Sequence, residues 1–325
     1  MRSSWIARSA AIALGFGIDR IFGEPPVRIH PVVGFGWLMK RVESAIYADE
    51  RRAGVAMCAA GVGIATGTGA LLNRTLGTRF ATTVSVALSV AGKMLADEAL
   101  HVGASLQRGD LDSARERVVS LVGRSTGDLG ETEIARAVVE SLAENTIDAV
   151  IASLVWASVG GAPAVLAHRA INTLDAMVGH HSPRYEHFGW ASARLDDVVN
   201  WLPARVGALA VAMVTPWRAR TIWAVVRRDA PQHPSPNGGV IEAAYAAALD
   251  LQLGGTNRYG DCIEERGVLG DGRATAVADI ERAVSLSQQI GLLCVLILPL
   301  IGSRVATGAK MVLRDRFECF GRIVS

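Results

Sequence analysis

Charge is scarce in this sequence. Asp, Glu, Lys and Arg make up 20% of its 325 residues, where a soluble domain averages about 25%, and mean hydropathy is +0.29. That leaves too little polar surface to cover a water-facing globule and argues against an ordinary soluble enzyme. Lysine is nearly absent, occurring only at Lys40, Lys93 and Lys310. The arginines that replace it are scattered among acids, so a net charge of +2 leaves no electrostatic footprint for nucleic acid. Cysteine is rare too: Cys58, Cys262, Cys294 and Cys319 stand alone with no CxxC spacing, which indicates neither a disulfide framework nor a zinc site. No internal repeat, no persistent period-two strand pattern and no Gly-x4-Gly-Lys-Ser/Thr loop are found; Gly92-Lys93 lacks the upstream glycine and the hydroxyl.

What the sequence has is apolar runs. Residues 53–72 are free of charge and flanked by Arg51, Arg52 and Arg74, matching the roughly 20 residues that cross a hydrocarbon core of ~30 Å. Shorter or interrupted runs lie at 5–18, 80–96, 205–217 and 290–301. The first lacks a small-residue cleavage site and reads as a retained membrane helix, not a signal peptide. Between the runs lie helix signals such as Asp110 capping an amphipathic stretch to Val122. The expected fold is all-α, a single multi-pass integral membrane unit over 1–325.

The most informative stretch is a polar hairpin. One long helix is expected from Thr132 to the break at Gly160-Gly161-Ala162-Pro163, and a second from Ala164 to about Val178. So short a joint makes the two antiparallel, which sets Asp148 opposite Asp175 and Ile151 opposite Asn172. Glu140, Glu144 and Asp148 recur at i, i+4, i+8 on one face, and Asn172 and Asp175 at i, i+3 on the other. Ionisable groups on helices this apolar are costly unless they pair or line a cavity. Pairing of Arg136 with Glu140 and of Arg169 with a carboxylate is the plainer alternative. Carboxylates and amides converging from two helices suit magnesium that holds phosphate.

His180, His181 and His187 lie in a loop with Pro183 and read as solvated or hydrogen-bonded, not as ligands. A third helix carries Arg194, which reaches Asp197 at i+3, and Asp196, which aligns with Asn200 at i+4; its adjacent acids serve either a cation or the helix dipole. Finally, the glycines of Ser235-Pro236-Asn237-Gly238-Gly239 precede a helical run from Val240 to Leu251. They are placed to let backbone amides face an anion, although the motif is also an ordinary turn.

These segments, in this order, resemble the CobD/CbiB family of cobalamin biosynthesis, the adenosylcobinamide-phosphate synthases. The resemblance is carried by Gly23-Glu24-Pro25 with His30-Pro31-Val32, by VESLAENTIDAV, by the run from His168 to Arg205, and by SPNGG with LGGTNRYG, so it covers nearly the whole chain. It implies a multi-pass inner-membrane protein whose active site faces the cytoplasm. The implied reaction is ATP-dependent formation of an amide between a propionate of the corrinoid adenosylcobyric acid and aminopropanol, as its O-phosphate. One departure is Ser125, where the family usually has aspartate; Asp128 or Glu131 is the expected substitute.

On that footing Glu144, Asn145, Asp148 and Asp175 are expected to hold Mg2+, and Arg169, Asn172 and Arg194 to orient the substrate carboxylate. Asp196 and Asp197 are candidates for accepting the amine proton, with Glu140 and Glu144 as further catalytic candidates. Ser235, Asn237, Gly238 and Gly239 would bind phosphate, and His30 and Asn200 complete the substrate-binding set. About 12 apolar residues between Asp148 and Gly160 are too few to cross the core, so the hairpin is expected to dip in and return, keeping every polar motif on one side. The rival readings are a magnesium-dependent intramembrane transferase acting on a diphosphate lipid, and a transporter.

Overall fold

The computed structural model describes residues 2–122, 127, 129–180, 182–259 and 262–298; Ser125, Asp128, His181, Lys310 and Cys319 lie outside them. The chain begins with α1 (Arg2–Phe22) and a single 3-10 turn leading to α2 (Pro31–Ile46). Proline at the first helical position needs no amide partner, and His30 caps the same end by accepting the Val32 amide on Nδ1 at 3.2 Å. The longest apolar run becomes α3 (Arg51–Leu76). The run at 80–96, read as one segment, is two helices, α4 (Thr78–Ser89) and α5 (Gly92–Gln107), because Val90 turns extended between them. In α6 (Leu111–Val122) the expected cap is present, with Asp110 Oδ1 accepting the Ser113 amide at 3.1 Å.

The polar hairpin forms as read. α7 (Glu131–Thr146) runs through a π-helical turn, Ile147–Ile151, into α8 (Ala152–Gly160). Gly161, at φ +63°, reverses the chain into α9 (Ala162–Leu174), which ends in a second π turn, Asp175–Gly179. Then come α10 (Trp190–Val214), which absorbs the short run at 205–217, the amphipathic α11 (Ala219–Asp229), and α12 (Gly238–Leu249). The one departure from an all-helical chain among the described residues is an antiparallel hairpin of β1 (Leu253–Tyr259) and β2 (Cys262–Leu269), irregular at Gly254/Gly255. A last helix, α13, covers Ala278–Leu298. The fold class is all-α.

Among the described residues, four helical stretches are long and apolar enough to cross a membrane: α3, α7–α8 taken together, α10 and α13. Their surroundings differ. Only 28% of the apolar window of α3 is buried inside the protein, against 72% for α7–α8, so α3 leaves an apolar outer face uncovered while α7–α8 is the central strut. What α3 does bury is a stripe of small residues, Gly54, Cys58, Gly61, Ala65 and Gly69, and small residues let two membrane helices approach closely. A Cβ on Gly69 would lie 2.6 Å from the Pro163 backbone at the start of α9. The main core gathers side chains of α5, α7, α8, α12 and α13. A smaller cluster of Met39, Met57, Leu174, Val178 and Phe188 seats the second π turn against α2 and α3.

Candidate functional site

Three carboxylates from three helical segments meet beside the hairpin. Asp148 sits in the first π turn, Asp175 opens the second and Asp196 lies nearly two turns into α10; the three are close enough for their charges to repel. π turns widen a helix locally and are often found at functional sites. Asn172 on α9 donates to Asp148 Oδ2 at 3.1 Å, the cross-hairpin contact expected from the antiparallel register. Asn200 Nδ2 donates to Asp196 Oδ2 at 2.9 Å, as the i, i+4 spacing indicates, and Asn200 Oδ1 is 2.8 Å from the buried ring of His168. The Asp175 carboxylate folds over Gly179, where a Cβ would strike its Oδ1. Burial pushes its carboxyl up to about 6, and the charge of Asp197 acts in the same direction.

Of the buried polar atoms at this level, Asp196 Oδ1, Arg169 Nε and His168 Nδ1 lack a hydrogen-bond partner among the described residues. Arg169 lies within electrostatic reach of Asp148 and of Glu24, and Glu24 in turn approaches His30 Nε2 at 3.7 Å. The charge of the amino-terminal Gly-Glu-Pro motif is therefore felt at the hairpin. Such a donor set of carboxylate oxygens, with an orphaned oxygen and an arginine beside it, fits a hard divalent cation and an anion together.

Other expected site residues are placed differently. Glu140 is buried, and its Oε1 accepts the Gly254 amide at 2.8 Å, so it ties the β hairpin to α7. Asn145 turns its amide back onto its own helix, donating to Ser141 O at 2.9 Å and Oγ at 3.0 Å. Arg194 reaches Asp197 at 3.8 Å with its side chain 68% exposed, at the rim of the site. His30 serves as the α2 cap described above. Glu144 points to the loop before α12, close to His233 and Glu242.

In the expected phosphate cradle at 235–239 the backbone amides have partners within the loop. Ser235 Oγ accepts the Asn237 amide at 3.3 Å and the Gly238 amide at 3.0 Å, and Ser235 O accepts that of Gly239 at 3.3 Å. The amides are turned inward onto this serine. The glycines have another physical reason: a Cβ on Gly238 would lie 2.6 Å from Glu144 Oε1, and one on Gly239 2.5 Å from His233 Cβ. What the loop does offer is Arg205, whose Nη1 donates to Asn237 Oδ1 at 2.7 Å while Asn237 Nδ2 donates to Asp197 O at 2.8 Å. This joins the loop to the acidic turn of α10.

Sequence reasoning passed over Glu24, His168, His233 and Glu242. Glu242 carried the readable signal, being the lone charge in the apolar run of α12 and fully buried. Comparison with known proteins gives a consistent result over nearly the whole length. A family model described as CobD/Cbib protein matches residues 12–287. The cobalamin biosynthesis protein CobD of Mycobacterium tuberculosis is 43% identical over 294 residues, covering 89% of this chain and 94% of that protein. The proteins of the same name from Geobacter metallireducens and Rhizobium meliloti are 43% identical over 254 residues, covering 74% of this chain and 80% of that protein, and 41% identical over 292 residues, covering 83% and 89%. No solved structure matches.

Proposed function

The chain belongs to the CobD/Cbib family, and from that premise we propose that it serves cobalamin biosynthesis as a membrane-embedded, ATP-dependent ligase. In this reading it joins aminopropanol, as its O-phosphate, to a propionate of adenosylcobyric acid. One observation supports the reading most: Asp148, Asp175 and Asp196 converge from three helical segments with Arg169 alongside.

Amide formation from a carboxylate at neutral pH needs the carboxylate oxygen removed with a phosphoryl group of ATP and the ammonium stripped of a proton. Asp148 and Asp175, with Asp196 in reach, would hold Mg2+, which when bound neutralises charge on the ATP phosphates. Arg169 would orient the propionate, and Arg194 at the rim would meet it on entry. Asn172 and Asn200 fix the directions of the Asp148 and Asp196 carboxylates. Asp197, beside the opening and linked through Asn237 to Arg205, is suited to take the amine proton, with Arg205 facing the amine's phosphate. An anion bound by the amides at 237–239 would have to displace the Ser235 oxygens.

The test is incubation of detergent-purified protein with adenosylcobyric acid, aminopropanol phosphate, ATP and magnesium, with each component omitted in turn and the amide followed by mass spectrometry. Product requiring all four is expected. Folded protein that gives none would sink the ligase reading.

A further inference from the structure

A second cluster of metal-type ligands begins at Glu144, one helical turn before Asp148 and near enough to act on its charge, and takes its other members from outside the three-aspartate set. Glu144 on α7, His233 in the loop after α11 and Glu242 on α12 each bring a ligand atom within 4.8 Å of the other two. His233 Nε2 is 3.2 Å from Glu242 Oε1, and both side chains are almost wholly enclosed, at 1% and 0% exposure. We propose that these three residues bind a first-row divalent transition ion, independently of any Mg2+ at the aspartates and of the ligase reading.

Three features support the assignment. First, two ligands each about 2.0 Å from one tetrahedral ion lie about 3.3 Å apart, which the His233–Glu242 separation of 3.2 Å matches; Glu144 brings a third ligand atom within 4.8 Å of both. Second, Ser235 prepares the ring for either state. Its amide is 3.0 Å and its carbonyl 3.2 Å from Nδ1. In the metal-free protein Nδ1 accepts from the amide while Nε2 faces Glu242 Oε1. With metal bound, Nδ1–H donates to the carbonyl and Nε2 turns its lone pair to the ion, the usual outer-shell partner of a metal-binding histidine. Third, the space is cleared by glycine: a Cβ at Gly238 would sit 2.6 Å from Glu144 Oε1 and 3.0 Å from His233 Cε1. One imidazole with two carboxylates favours Zn2+, Mn2+ or Fe2+ over Mg2+, and three protein ligands leave a fourth position for water or a substrate group.

The full-length protein, purified in detergent without chelator from cells supplemented with zinc, manganese and iron, is analysed for metal after exhaustive dialysis. About one transition-metal equivalent per folded chain is expected, falling at least about tenfold in Glu242→Gln and in His233→Gln and unchanged in Asp148→Asn. Cobalt added to stripped wild type should produce visible absorption bands that the two variants lack. The cobalt experiment on wild type stands even if a variant misfolds. Folded wild type that holds no metal and gives no cobalt bands overturns the proposal, as does metal retained at full occupancy by both variants.

Discussion

Residues at the three-aspartate level act through their neighbours' charges, and their substitutions should separate chemistry from stability. Asp148→Asn and Asp175→Asn each keep the size and shape of the side chain while removing a charge that repels the others. Turnover should fall by about 10²-fold or more, as when a group that stabilises developing charge is removed, with a higher magnesium requirement and an unchanged melting temperature. Steady-state rates against Mg2+ concentration check this; unaltered rates in both variants would end the metal assignment.

Asp229 lies away from that site and supplies the opposite case. It is buried, paired with Arg228 at 2.5 Å, and accepts the Gly270 amide at 2.9 Å. The Arg228 hydrogen bonds hold its carboxyl below the ordinary range, burial opposes them, and the Gly270 amide adds to the lowering. A depressed native pKa stabilises the fold fully above the unfolded value of about 3.9, and the contribution is lost as pH falls through the native value. Asp229→Asn should therefore cost about 1–3 kcal/mol near neutrality, and the gap between its melting temperature and that of wild type should narrow as pH falls below the unfolded carboxyl value of about 3.9.

Single elements show how much of this was legible in advance. The hairpin register could be read because glycine and proline mark its turn and because helical periodicity fixes which residues face each other; the Asn172–Asp148 bond follows from those two facts. The same local rules yielded the Asp110 cap and the Asp196–Asn200 pair. They could not reveal that Glu140 and Glu144, a turn apart on one face, have separate partners in the β hairpin and in the loop before α12. Those partners lie about a hundred positions away, and nothing near them in sequence announces the contact. The β hairpin was missed because its glycines obscure any alternating pattern.

The small-residue stripe of α3 makes a prediction at the same scale. Gly69→Val should lower thermal stability by about 1–3 kcal/mol through overpacking, since its Cβ would meet the Pro163 backbone. Gly63→Val, on the exposed face of the same helix with nothing within 4 Å, should cost far less. Equal losses from both would show that α3 does not pack through the stripe.

At the scale of the whole molecule, the burial contrast between α3 and α7–α8 describes a bundle whose polar strut is enclosed by its neighbours while α3 stays exposed. This arrangement answers the cost of carrying ionisable groups at membrane depth. If the hairpin dips in and returns, single cysteines introduced at Gly130 and Ser182 should react with an impermeant thiol reagent from the same side of sealed vesicles. Cysteines at Asp49 and Gly77, beyond the two ends of α3, should react from opposite sides. Labelling of 130 and 182 from opposite sides would mean that the chain between them makes a net crossing.

The two π turns also make chain length itself part of the site. Each closes its hydrogen bonds over one residue more than an α-helix does, so each arm of the hairpin carries a surplus residue beside its aspartate. Removing the surplus residue itself would let the helix close regularly and keep what lies beyond near its present bearing, because the wide turn is what absorbs it; removing a residue from the regular stretches between Asp148 and Asn172 would rotate everything beyond by about 100° around the axis. Asn172 and Asp148 would then no longer face each other. Insertions and deletions that surface loops absorb freely are thus barred from the middle of these two helices, and the spacing from Glu144 to Gly161 and from Gly161 to Gly179 acts as a ruler that evolution can rewrite only on both arms together.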